Sequence, residues 1–518
     1  MHGKKDFKPK LFYSLSLDKL VPKDDFYRKI NEEVNLQFLY KQTQSYYGTE
    51  GQASIDPVVF FKICIVGYLN NIVSDRALIR FCADSLSIRL YLGYDLDEEL
   101  PWHSTISRTR KLFGGEVFLT LFQEVLRLCC KKGMVSGKRQ AVDSAFIKAN
   151  AGMDSLLEKE VVDDVAVYSD ELNQNSEYKV SSATKKQVEQ RQKLKKKNRG
   201  IPGTDNKDGN IDENDNKFKP RFLSNRTHYS PTDPDARIST KPGKSRNLNY
   251  YGQISVDTKN HVITGATADF ADKRGSQCLK KITEQMSDNL HDNNIVLNEL
   301  LADTNYSSGE ALQYLEEKQI NGWIPNIGRY KPEREGFIFN ENENRYECQR
   351  GNRALLPYKN TQKHRSHKRM VYSSNSEICK SCTLKNECCG KKSNSKKITH
   401  STYYQEYARQ HNKLTSNDKY AKRMSRLRSS TVEPVLGTLL NFMGMKKVYS
   451  RSIAQAEKHV LMAALCYNLK KMLKFKVKDT QVQANYALIA AKLHEMQNFL
   501  FSTFPRLIFV RLKAQSFC

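Results

Sequence analysis

The sequence predicts an α/β protein built on a mixed sheet, preceded by a helical region and broken by two inserts. Three observations lead there. Apolar residues recur at helical spacing through the first 135 residues, strand-like and helix-like stretches alternate between residues 139 and 325, and segments 156–230 and 335–400 turn polar and lysine-rich.

In the amino-terminal region, Ser54-Ile55-Asp56-Pro57 reads as a helix entry, followed by Val58, Phe60, Phe61, Ile63, Cys64, Ile65 and Tyr68. Further helices are expected from Asp75 through Phe81 and from Ser104 to Phe113. In the last of these Ser104 is the expected cap, and Arg108, Arg110 and Lys111 are candidates to meet DNA phosphates or base edges. Short helices joined by tight turns suit a helix-turn-helix; a small bundle with a solvated basic face suits the same charge spacing.

Arg139 to Ile147 has the alternation of a strand, interrupted by Asp143. Residues 156–230 read as a helical hairpin and a disordered loop, with a basic run from Lys185 to Arg199. Around Gly209 the loop has a faint likeness to a calcium loop, but Thr204 stands at the first ligand position. Order returns with two strands in Asn247 to Asp269 around the turn Asp257-Thr258-Lys259-Asn260. A helix follows, then a strand from Ile295 ending on Asp303, a helix from Ser308 to Lys318, and a short strand at Gly322 to Pro325. Beyond the second insert, Ser430 to Met443 is expected as a helix burying Val432, Val435, Leu436, Leu439, Leu440 and Met443, with Glu433 at its start. An amphipathic helix spans about Ile453 to Leu473. The last 45 residues carry no motif.

Lys and Arg number 84 against 57 Asp and Glu, a formal net charge of +27 that favours a polyanionic partner. No apolar run approaches the ~18–20 residues of a membrane span, and the amino terminus lacks a secretory pattern, so a soluble cytoplasmic protein is expected. Gly243-Lys244-Ser245 lacks the upstream glycine of a phosphate loop, so no nucleotide cofactor is implied. Twelve cysteines are too few for a disulfide scaffold, and clustered ones read first as metal ligands.

Metal-dependent phosphoryl transfer needs hard oxygen ligands, and Asp143, Asp303 and Glu433 can supply them from three separate elements. Val142-Asp143 and Leu301-Ala302-Asp303 set charge at the edge of a core, where a compensating cation is required. In the second insert, Cys379-Lys380-Ser381-Cys382, with Cys348 and Cys388, matches a tetrahedral thiolate set for Zn²⁺. Reduced cysteines in a lysine-rich loop and an iron–sulfur cluster remain open. Lys391, Lys392, Lys396, Lys397, His364, Arg365, His367, Lys368 and Arg369 make the insert either a DNA clamp or a solvated loop. Cys64, Cys82, Cys129, Cys130 and Cys466 fall on apolar helices and read as core.

From about residue 15 to 473, the two inserts aside, the chain resembles the DDE transposases of bacterial insertion sequences, which have a ribonuclease-H-like catalytic core. Leu20-Val21-Pro22 through Ile30, Ile55 to Val59 and Ser74-Asp75-Arg76 are similar to that family's helical DNA-binding region. Val142-Asp143-Ser144 through Ala151 resembles the first catalytic strand, and Tyr229 to Arg237 a signature before the strand pair. Ala302-Asp303-Thr304-Asn305-Tyr306-Ser307-Ser308 resembles the second acid, Thr431-Val432-Glu433-Pro434-Val435-Leu436-Gly437 the third, and Asn468-Leu469-Lys470-Lys471 the downstream close.

The resemblance implies a helical DNA-binding domain at 1–135, a catalytic domain at 136–475 interrupted by the two inserts, and a tail at 476–518. It implies that Asp143, Asp303 and Glu433 hold two Mg²⁺ (or Mn²⁺) for cleavage at terminal inverted repeats and strand transfer to target DNA. A homodimer on paired ends and a nucleoid association follow from the same likeness, and similar cysteine-bearing inserts support a structural Zn²⁺. Many relatives carry lysine seven residues after the glutamate; here that position is Leu440, and Lys446 and Lys447 are the candidates to replace it on DNA. An inactive DNA-binding descendant and a nuclease that does not join strands are the alternatives.

Overall fold

The computed structural model describes residues 15–48, 50, 54–158, 224–225, 227–239, 245–326, 334–364, 367–390 and 392–475. The Lys185–Arg199 run, the loop around Gly209, Gly243-Lys244, Arg365, Lys391 and the tail 476–518 lie outside the described residues, as do the side chains of His364 and His367.

Helices α1 (Leu17–Leu20), α2 (Phe26–Glu33), α3 (Phe38–Thr43), α4 (Pro57–Leu69), α5 (Asp75–Asp84), α6 (Leu86–Leu92), α7 (His103–Leu112) and α8 (Gly115–Lys131) make up the amino-terminal region. The Asp56 carboxylate accepts the Val58 and Val59 N–H groups at 2.7 and 3.1 Å, and Pro57 takes the first helical position, so α4 starts where the sequence predicts. It is buried on nearly every side, as a helix apolar all round but for Lys62 must be. In α7 the cap position belongs to Trp102, not Ser104; the Ser104 hydroxyl lies inside the first turn and accepts from Arg108 Nη2 at 3.1 Å.

The main sheet holds β1 (Arg139–Lys148), β4 (Arg237–Ser239), β5 (Asn247–Asp257), β6 (Ile263–Phe270), β7 (Glu299–Leu301) and β8 (Asn321–Trp323); β2 (Leu157–Glu158) and β3 (His228–Tyr229) form a separate two-stranded ladder. Its order is β6-β5-β1-β7-β8, with β4 continuing the β6 side of β5. The β6-β5 and β5-β1 pairs are antiparallel, while β1-β7 and β7-β8 are parallel. The strand expected from Ile295 to Asp303 is only three residues long: Ile295 to Asn298 precede the ladder, and Asp303 already caps the turn that follows it.

Helices α9 (Gly275–His291) and α15 (Ile453–Lys474) cover opposite faces. A Cβ on Gly265 would meet Ile282 and Met286 of α9, whereas one on Gly252 would meet Val460 of α15. Side chains close both sheet edges. Asn468 of α15 exchanges two 2.8 Å hydrogen bonds with the backbone of Ile263 on β6, and Gln410 of α13 (Tyr404–Ser416) donates to Ile324 O beside β8 at 2.8 Å. The Asp235 carboxylate accepts the Ile453 N–H at 2.9 Å, and Asp233 accepts from Ser452 N and the Tyr250 hydroxyl, which docks the start of α15 on the sheet.

Helix α14 (Asp418–Phe442) departs from expectation: it starts twelve residues before Ser430 and runs 25 residues with Pro434 inside, so Glu433 lies well within it. Pro434 supplies no N–H to the Ser430 carbonyl but leaves the flanking turns intact. The helices before residue 135 share one continuous apolar cluster with the sheet, α14 and α15.

The cysteine-bearing insert is not a loop. Its strands β9 (Phe337–Asn340), β10 (Arg345–Cys348), β11 (Leu355–His364), β12 (His367–Ser373) and β13 (Lys397–Ser401) form an antiparallel sheet around Tyr346, Leu356, Tyr372 and Ile398, with the short helices α11 (Ser376–Lys380) and α12 (Lys385–Cys388) between β12 and β13. Helix α10 (Gly309–Glu317) follows β7, its Ser308 cap accepting from Ala311 N at 3.1 Å.

Candidate active site

Parallel pairing of β1 and β7 brings Ala141 opposite Leu301, so Asp143 and Asp303 each stand two residues past the same rung. Asp143 pairs across β5 with Ile254, on the sheet face that Gly252 presents to α15, and α14 packs on β1 and β5 there. Strand β1, the turn that follows its neighbour β7, and one helix thus carry the three acids.

The link between the first and third is Arg428 of α14. Its Nη1 donates to Asp143 Oδ2 at 2.7 Å and its Nη2 to Glu433 Oε1 at 3.0 Å. The Arg428 and Asp143 side chains are only 12% and 18% exposed, against 58% for Glu433. Burial pushes the Asp143 carboxyl above its ordinary pKa and the negative charge of Asp303 adds to this; the Ser144 N–H bond and the Arg428 charge oppose it. Asp303 accepts from Asn305 N at 3.0 Å and Asn305 Nδ2 at 2.9 Å, which fixes it at the start of the turn after β7. Close to the acids the Tyr306 hydroxyl donates to Gln253 Oε1 at 3.0 Å, and Ser144 and Tyr251 share a 2.6 Å hydrogen bond.

Sequence reasoning missed Arg428. The signal was its place five residues before Glu433, but a helix begun at Ser430 leaves it outside.

The other expected residues are dispersed. Arg110 is a correction: it is mostly buried and forms an ion pair with Asp75, Nη2 to Oδ1 at 2.6 Å and Nη1 to Oδ2 at 3.0 Å, so it braces α7 on α5 and is not available to DNA. Ser104 and Arg108 bond each other near the surface, and Lys111 is exposed. The segment at Lys446 and Lys447 adds to the far end of β1 in a short parallel bridge, where Lys148 N donates to Lys446 O at 3.0 Å and Val448 N donates to Lys148 O at 2.9 Å. Lys446 is exposed, and the Lys447 ammonium lies 5.0 Å from the Tyr449 ring centre. This places both lysines about 17 Å along the strand from Asp143, at ~3.3 Å per residue.

In the insert, Cys348, Cys379, Cys382, Cys388 and Cys389 line one cavity of about 210 Å³. Cys348 Sγ donates to Arg350 O at 2.9 Å and Cys379 Sγ to Ser374 Oγ at 3.0 Å, while burial, with Cys388 alongside, pushes the Cys389 thiol up to about 11. Among the described residues, no three His, Cys, Asp or Glu side chains converge as metal ligands. Cys64, Cys82, Cys129 and Cys466 are buried, Cys130 partly so.

No helix among the described residues is long and apolar enough to cross a membrane. Neither a curated protein nor a solved structure matches the chain. Residues 15–112, covering α1 to α7, match a family described as a transposase domain (DUF772). Residues 347–473, which include α14 with Glu433 and the clustered cysteines, match a transposase DDE domain. Asp143, on β1, and Asp303, just after β7, lie between the two matches. The chain thus carries a transposase-domain match and a transposase DDE-domain match in order, which together support a DDE transposase of an insertion sequence.

Proposed function

We propose that the protein binds the terminal inverted repeats of its own element as a homodimer on paired ends, cuts them and joins them to target DNA. The observation that carries this reading is the sharing of one cation, the Arg428 guanidinium, by Asp143 and Glu433, with Asp303 just past the end of the neighbouring strand. The strand order, with two antiparallel and two parallel neighbour pairs around β1, supports a ribonuclease-H-like core.

The carboxylate donor set suits Mg²⁺ or Mn²⁺, and Asp143, Asp303 and Glu433 would hold the metals once they draw together and Arg428 gives up its place between two of them. When bound, such ions activate the attacking oxygen and stabilise the leaving 3′ oxygen. The chain's own residues do the rest. Ser144 N–H and Asn305 orient the two aspartates, and Arg428 restrains Asp143 and Glu433 against their mutual repulsion. Arg108, Lys111, Lys446 and Lys447 are the proposed DNA contacts, together with Ser104, whose hydroxyl positions Arg108.

Five thiols around one cavity have the donor chemistry for a structural Zn²⁺ on Cys348, Cys379, Cys382 and Cys388. Binding requires Cys348 and Cys379 to release their present acceptors.

The test is strand cleavage on duplexes carrying the gene's flanking inverted repeats, with Mg²⁺ or EDTA, beside Asp143→Asn. Metal-dependent nicking at the repeat boundary that the variant loses, followed by joining, is the expected result. Binding without cleavage in Mg²⁺ or Mn²⁺ favours an inactive descendant, and cleavage without joining favours a nuclease.

A further inference from the structure

The pair β11-β12 is longer than the sheet that supports it. Strand β10 covers β11 only from Leu355 to Pro357, and β13 covers β12 only from Arg369 to Ser373, whereas the β11-β12 ladder continues to His364 opposite His367. Residues 357–363, 368 and 369 are all exposed, so this ribbon has no core on either face. A two-stranded ribbon with both faces in water is marginally stable at best.

Its charge makes it less stable still. Lys363 stands directly opposite Lys368, a like-charge cross-strand pair, and Gln362 opposite Arg369. From Cys348 to Ser376 the sequence has seven Lys or Arg and no Asp or Glu to offset them. The register shift between Tyr358 and Asn360 adds local twist where the ribbon leaves the sheet. Lysines on an open strand edge also discourage edge-to-edge pairing, but that need is met by one or two charges and does not call for two lysines face to face.

We propose that the exposed part of this ribbon, Lys359–Lys363 with Lys368 and Arg369 opposite, seats in a groove of duplex DNA, with Lys359, Lys363, Lys368 and Arg369 on the phosphates. The major groove admits a two-stranded ribbon, and phosphates on its walls relieve the repulsion between the paired lysines. This rests on the reading that the chain acts on duplex DNA, and it assigns the insert a direct hold on that DNA.

The test measures binding of the full chain to a duplex carrying the flanking terminal repeat across a salt series, for wild type and for Lys359→Gln, Lys363→Gln, Lys368→Gln, Arg369→Gln combined. The expected result is a salt slope shallower by about 3.6 and low-salt affinity weaker on the order of 100-fold, since each of the four lost phosphate contacts removes ~0.9 from the slope. A second variant, Lys359→Arg, Lys363→Arg, Lys368→Arg, keeps the charge and is expected to keep both values. Steep wild-type binding with an unchanged slope in the glutamine variant overturns the ribbon contact and leaves the transposase reading standing. Self-association of that variant with unchanged DNA affinity does the same, by assigning the lysines to guarding the edge. A wild-type chain that does not bind duplex DNA overturns both.

Discussion

Arg428 and Asp143, 285 residues apart in sequence, meet at 2.7 Å on the face of the main sheet. Through its other terminal nitrogen Arg428 also holds Glu433, so one guanidinium bridges two of the three acids.

Arg428→Ala is expected to lose about 2 kcal/mol of stability in the absence of divalent metal. Breaking a fully buried pair costs roughly 3–5 kcal/mol, and the exposure of Glu433 reduces that. Mn²⁺ is expected to raise the melting temperature more in this variant than in wild type, because no guanidinium has to be displaced. Thermal melts with and without Mn²⁺ check this, and equal Mn²⁺ shifts would count against it.

Arg110 and Arg108 lie two residues apart on α7 and should behave differently. Arg110→Ala strands Asp75 in a largely buried site and is expected to cost roughly 3 kcal/mol. Arg108→Ala should stay within about 0.5 kcal/mol of wild type while weakening DNA binding. Urea denaturation and a DNA titration on each variant separate the two roles.

Stability is expected to fall as the pH drops. Burial, reinforced by the Arg110 charge, lowers His459 to about 4, and burial also lowers His400 in the insert to about 4. The unfolded chain takes up protons near pH 6.5 that the folded chain excludes, so stability is lost from about pH 6.5 down to about 4. His459 alone should account for about 2 kcal/mol between pH 7 and 5. Equilibrium unfolding across that range, compared with His459→Gln, should show a shallower decline in the variant.

Gly351 has φ +53°, and a Cβ there would lie 2.4 Å from Cys382 Sγ. Gly351→Ala is therefore expected to cost roughly 1–3 kcal/mol and to disturb the cysteine cavity. Purified wild type should carry one zinc per chain, reduced in Gly351→Ala and absent in Cys379→Ser. Elemental analysis beside a melt in chelator reads both effects.

Much of this fold was legible because local signals agreed with the tertiary structure. Asp56-Pro57 marks the start of α4, alternation marks β5, the run His261 to Gly265 after a turn marks β6, and an apolar run ends at Asp303. What escaped depended on distant contacts. The first half of α14 is basic and polar, and its anchor is tertiary: Tyr420 donates to Glu299 of β7 at 3.0 Å and packs on Trp323 of β8. The insert's strands are polar on exposed faces and meet around a small aromatic core, so their alternation is weak. Arg110 read as a surface charge because its partner, Asp75, lies 35 residues away.

Helix α15 packs against α4 and α8 on one side and against β5 and β6 on the other. Cores joined in this way have no hinge between them. If the amino-terminal helices grip a transposon end, the distance from grip to cut is a built-in gauge, set by the packing of one helix and indifferent to linker length. Any adjustment of that distance must then come from bending of the DNA or from a second copy of the chain.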